Sequence, residues 1–166
     1  MSRRSGTELT PALVQRFSQR ELRNRLGAVL PFVTIDGQGR AHPMLLSYLE
    51  IRAYDSRTLG LVIQARSGSA QNLVERGVGT LLVVEPDAIV YVKTRAIDGP
   101  LPVPGGEEAG LGYFLLEVEE ILEDVAADWE TAMRITAPAQ YRPVPTLDEP
   151  WARATLDSLA SPRARA

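Results

Sequence analysis

The hydrophobic positions near the N-terminus recur at helical spacing and then give way to the alternation of strands. Leu13, Phe17, Leu22 and Leu26 fall roughly one helical turn apart, behind Thr10 as an N-cap and Pro11 at the first helical position. This predicts a helix over about 11–26, with four intervening arginines on a solvated face. From Val29 the stretch VLPFVTI is β-branched and aromatic, and DGQG at Asp36–Gly39 signals a turn. A second strand over about Pro43–Ala53 and a third, TLGLVIQA, ending near Ala65, follow closely enough to favour antiparallel pairing.

Further along, VGTLLVVE reads as a fourth strand, Pro86 and Asp87 as a tight turn, and AIVYVKTRAI as the hairpin partner. The glycine- and proline-rich DGPLPVPGGEEAGLG reads as a loop. In YFLLEVEEILED, Phe114, Leu116, Val118 and Leu122 alternate against Tyr113, Glu117, Glu119 and Ile121. That alternation predicts a final strand in preference to a helix. AADWETAMRI then predicts a short helix, the tail from Pro138 is too rich in proline for regular structure, and WARATLDSLA predicts a last short helix before a fraying SPRARA end.

The expected fold class is therefore mostly β, a six-stranded antiparallel barrel with flanking helices. Its unusual part is a polar helix between the third and fourth strands. The chain reads as a single domain over 1–166, with an N-terminal helix over 1–27, the barrel over 28–124 and a helical, proline-rich extension over 125–166.

Composition narrows the chemistry more than the fold. A net charge of −3 and a pI near 5.3 give no general attraction to nucleic acid or acidic membrane, so neither is an expected partner. There is no cysteine, which removes disulfides, thiolate nucleophiles and sulfur-bound metals. The single histidine, His42, precludes a histidine-rich metal site, and no metal is expected. Arg3 and Arg4 are not followed by an apolar stretch, unlike a signal peptide, and no apolar run approaches the roughly 20 residues of a membrane span. A cytoplasmic location is the default expectation.

Polar chemistry concentrates in QARSGSAQNLVERG, Gln64–Gly77, where a strand passes into a helix. Two readings stand side by side. In one, Arg66, Ser67, Ser69 and the helix start form an anion cradle, since a helix N-terminus presents free amides and the positive end of a dipole. In the other, Ser69 is simply the N-cap of a helix over 70–76, and Ser67 and Gly68 make the turn. Lys93 and Arg95 lie two apart on the fifth strand and so share a face, toward an anion, a carboxylate or solvent. His42, just before Pro43, reads as a turn residue, and no catalytic acid–base pair stands out.

Three stretches, LPFVTIDGQGRAHPMLLSYLE, TLGLVIQARSGSAQNLVERGVGTLLVVE and YVKTRAIDG, together resemble the pyridoxamine 5′-phosphate oxidase-like family of FMN-binding split barrels. The likeness runs over about Ala28–Gly99, with an echo in Tyr113–Asp124. It implies a homodimeric flavoprotein with FMN in clefts at the subunit interface, and an oxidoreductase acting on a small-molecule substrate. Carried over by position, the cofactor contacts are Arg66, Ser67, Ser69, Gln71 and Asn72 around the phosphate, with Ser47 and Lys93 on the strands. Met44–Tyr48 would run along the flavin ring, mostly through backbone. Ser69 stands where the family often has a basic residue, and Arg66 is placed to supply that charge. The family's C-terminal arginine and histidine motifs for pyridoxal phosphate have no match in RPVPTLDEPWARATL, which argues against the vitamin B6 enzyme itself. Two alternatives remain within the fold: a barrel that has lost FMN and serves as a binding or structural protein, and one that holds haem or a deazaflavin.

Overall fold

The computed structural model describes residues 2–85, 88–124 and 135–164. The expected turn at Pro86–Asp87 and, apart from its last residue, the expected helix over 126–135 lie outside the described residues. Among the described residues eight strands form one antiparallel sheet: β1 (Ser2–Gly6), β2 (Val29–Ile35), β3 (Ala41–Ser47), β4 (Ile51–Ala53), β5 (Thr58–Gln64), β6 (Val78–Glu85), β7 (Ala88–Pro102) and β8 (Leu111–Asp124). Their order is β3-β2-β6-β7-β8-β5-β4, with β1 also paired to β8. The two edge strands, β3 and β4, are joined only by a 3₁₀ turn, Tyr48–Glu50. So short a link forces the sheet to curl until its edges meet, which makes it a barrel split along one seam.

Two strands exceed the six expected. The second expected strand is cut into β3 and β4 by the 3₁₀ turn, where Ser47 and Glu50 form a reciprocal cap. β1 pairs with the end of β8, Arg4 opposite Leu122, and its polar SRRSG sequence gives no strand signal. The long N-terminal helix is also shorter than its periodicity suggests. α1 covers Pro11–Arg16, capped by Thr10, and Gln19 takes a left-handed φ of 63° that ends helical geometry before a 3₁₀ turn at Leu22–Asn24. The apolar spacing still holds, because Leu13, Phe17, Leu22 and Leu26 are all buried.

The barrel interior is filled by one face of each strand: Leu30 and Phe32, Leu59 and Leu61, Leu81 and Val83, Phe114 and Leu116. On β5 and β8 the opposite face is buried as well. Val62, Tyr113 and Leu115 pack there under Val103, Ala154 and Leu159, delivered by the loop after β7 and by α3 (Pro150–Ser158). Burial on both sides explains why LGLVI and YFLL are continuous hydrophobic runs. Gly60 is part of that packing, because a Cβ there would meet the Tyr54 ring and Leu159.

Two sequence expectations along β7 and β8 are corrected. β7 continues to Pro102 through the stretch read as loop, with shifts of register at Ala96–Asp98 and Asp98–Leu101 that absorb its glycine and proline. On β8 the register shifts so that Lys93 faces Glu120 but Thr94 faces Val118, leaving Glu119 as an extra residue. A bulge of one residue inverts the alternation, so Ile121 is buried and Leu122 only half-buried.

Candidate functional site

The inserted helix α2, Gly68–Arg76, starts where β5 ends, and its first turn is the polar junction singled out in the sequence. Ser67 is the N-cap, its hydroxyl accepting from the Ala70 amide at 3.2 Å. The cap thus lies two residues earlier than the Ser69 alternative. Gly77 closes the helix in the left-handed conformation, φ 71°, the common role of glycine there. Ser67's own amide donates to Gln64 O, so the amides left without an acceptor at this helix start are those of Gly68 and Ser69.

Three further features surround them. Ser69 is 1% exposed, and among the described residues its hydroxyl makes no hydrogen bond. Gly68 leaves a bare Cα over which the His42 imidazole sits, with Nε2 3.0 Å from where a Cβ would be. Arg66 and His42 are both exposed, and neither side chain meets a carboxylate among the described residues. The helix start thus gathers two amides, a shielded hydroxyl and two potential cations. Nothing in that set repels an anion.

The other expected contacts are placed differently. Asn72 is buried and turns inward, its side-chain amide donating to Thr34 Oγ1 at 2.9 Å, while the Thr34 hydroxyl donates to His42 O at 3.3 Å. Asn72 therefore ties α2 to β2 and fixes the backbone that carries His42. Gln71 is exposed on the helix. Lys93 and Arg95 are exposed but neutralised by β8, Lys93 by Glu120 and Arg95 by Glu119, each at 2.5 Å. The hydrogen bond from Lys93 holds the Glu120 carboxyl below its ordinary pKa. The partner of that strand face is a pair of carboxylates.

Ser47 is buried at the end of β3, its amide and hydroxyl donating to one Glu50 oxygen at 2.6 and 3.0 Å. Burial pushes the Glu50 carboxyl above its ordinary pKa, against the two Ser47 hydrogen bonds. Among the described residues β3 pairs only with β2, and against them its outer edge leaves backbone groups open beside the α2 junction. Leu45 on this strand is 58% exposed.

His42 reads as a turn residue in the sequence, but the structure places it at this helix start. It is far from Ser67–Ser69 along the chain, but the DGQG hairpin puts His42 opposite Thr34, and Asn72 brings α2 to Thr34. Counting the register back from that turn was the available signal. Among the described residues no group of His, Asp and Glu could hold a metal ion, and no helix is long and apolar enough to cross a membrane.

No protein-family model and no curated protein matches the sequence. Solved structures do match in fold. An FMN-binding protein from Syntrophomonas wolfei aligns with 70% of this chain and 89% of its own at 10% identity, with a TM-score of 0.52. A candidate pyridoxamine 5′-phosphate oxidase from Lactobacillus delbrueckii aligns with 70% of this chain and 95% of its own at 14% identity and a TM-score of 0.50. HupZ from Group A Streptococcus aligns with 80% of this chain and 99% of its own at 10% identity and a TM-score of 0.50. The fold is an antiparallel split barrel of the kind these proteins have.

Proposed function

We propose that this split-barrel protein binds FMN, with the phosphate at the N-terminus of α2, and acts as a flavin-dependent oxidoreductase on a small molecule at a homodimer interface. The observation that carries the reading is the α2 junction: two open amides, the unbonded Ser69 hydroxyl and a bare Gly68, flanked by Arg66 and His42. The missing Gly68 side chain makes room for the His42 imidazole beside the open amides, so ring and amides can face one phosphate. Arg66 replaces the charge that a lysine at position 69 would bring and offers two parallel donors, and the His42 ring can add an N–H. The open edge of β3 lies beside this junction and supplies backbone donors and acceptors along which a planar ring can lie. A bound flavin would supply the hydride or electron chemistry. The chain's part is to hold the phosphate, orient the ring and shield it from water. The neighbours described as FMN-binding and oxidase-like support the same reading.

Titration with FMN tests it. Saturable quenching of flavin fluorescence is expected, with a thermal shift equivalent to about 2.7 kcal/mol once FMN reaches about 100 times its dissociation constant. Arg66→Ala and His42→Ala should each weaken binding about tenfold, the cost of one charge-assisted contact. A protein that neither quenches nor is stabilised by FMN does not bind it. That outcome favours the second reading, a barrel without flavin, for which the Ser69 position and the Lys93–Glu120 pair speak.

A further inference from the structure

A groove of about 510 Å³ lies between α1 and β4, within the size range of small-molecule sites. Pro11 and Val14 of α1, Ser18 and Arg20 of the following turn, and Arg52 of β4 line it. None of its lining residues belongs to α2 or β3. Among the described residues neither Arg20 nor Arg52 meets a carboxylate, whereas Arg3, Arg4, Arg25, Arg40, Arg57, Arg95 and Arg153 all do. Two arginines that meet no carboxylate among the described residues share one concavity and are available to an incoming anion.

The groove is also rigid. Gln19, held at φ 63°, donates its side-chain amide to the carbonyls of Leu49 at 3.1 Å and Ile51 at 3.2 Å. The Ala53 amide donates to Phe17 O at 3.0 Å. A left-handed non-glycine residue is disfavoured and persists only where its surroundings fix it. Here these bonds staple the segment presenting Arg20 to the strand presenting Arg52. One carboxylate, Glu8, stands beside the lining residue Ser56, accepting from its hydroxyl at 3.1 Å. That charge disfavours a dianion, while Pro11 and Val14 offer apolar contact.

We propose that this groove binds a small organic monocarboxylate, its carboxylate held between Arg20 and Arg52 and its apolar body against Pro11 and Val14. Calorimetric titration of the full chain with 4-phenylbutyrate, and with 4-phenylbutanamide as the uncharged counterpart, tests this. The acid should bind saturably at one site per chain and the amide at least about tenfold more weakly, because a charged hydrogen-bonded pair is lost. Arg52→Gln and Arg20→Gln should each weaken the acid about tenfold, and Arg57→Gln, whose partner is Glu117, should leave it unchanged. Circular dichroism of each variant confirms folding, and Arg52→Lys, which keeps the charge, should recover part of the affinity. Absence of saturable heat, equal binding of acid and amide, or wild-type affinity in both Gln variants overturns the proposal.

Discussion

Glu50 shows how one side chain can oppose stability where it sits and still order the chain around it. Its carboxylate takes both donors of Ser47 and so caps the turn that joins the two edges of the barrel. Burial nevertheless raises its pKa above the ordinary glutamate value of 4.5, so the folded state holds the proton more tightly than the unfolded chain. Stability linked to Glu50 is therefore fully present below the ordinary value and is lost as pH rises through the raised one. Glu50→Gln keeps a carbonyl acceptor for Ser47 without a charge to desolvate. Urea unfolding should show the variant gaining on the wild type as pH rises from about 4 to about 8. A pH-independent difference would mean that Glu50 is not perturbed. Within the expected strand over 43–53 Glu50 looks like a surface acid; the Ser47-x-x-Glu50 capping-box spacing is the local signal for the 3₁₀ turn that turns it inward.

At the scale of elements, the sequence reading succeeded where a strand buries one face and the alternation is visible, as in β2, or both faces and the run is continuous, as in β5. It also placed α2 and α3 in the right parts of the chain. It failed where register matters more than propensity. The bulge at Glu119 is set by pairing between β7 and β8, which no local pattern records, and β1 is a strand because β8 is long enough to template it. Gly60 belongs to the same class: within TLGLVIQ it looks like a weak point in a strand, yet it is where Tyr54 crosses the sheet to reach Tyr113, hydroxyl to hydroxyl at 3.2 Å. Gly60→Ala should force that ring and Leu159 apart and cost about 1–3 kcal/mol, measured as a lower urea midpoint. An unchanged midpoint would show that the Tyr54 contact relaxes freely.

For the whole molecule, the C-terminal segment is a structural part of the barrel and not an appendage. α3 and Leu159 cover the outer face of β5 and β8, and the Arg163 amide donates to the Tyr113 hydroxyl at 3.1 Å, with its guanidinium 5.6 Å above the ring. Ending the chain at Asp148 should uncover Val62, Tyr113 and Leu115. At about 1.5–3 kcal/mol per buried large apolar side chain, the loss should be at least about 3 kcal/mol, visible in urea unfolding and as aggregation on concentration. A truncated chain as stable as the full one would refute the role given to α3. This lid was half legible: WARATLDSLA has a helical pattern, but which face of the barrel it covers depends on contacts formed across the whole fold.

The imidazole above Gly68 has one more consequence, a spectroscopic one. Since the chain has a single histidine, its two ring C–H protons are the only histidine signals in a proton NMR spectrum of unlabelled protein and need no further assignment. They sit at the helix start where the phosphate is expected, so their movement on adding inorganic phosphate, and then FMN, reads occupancy of that one spot directly. The residue that looked like part of a turn is a built-in reporter for the site.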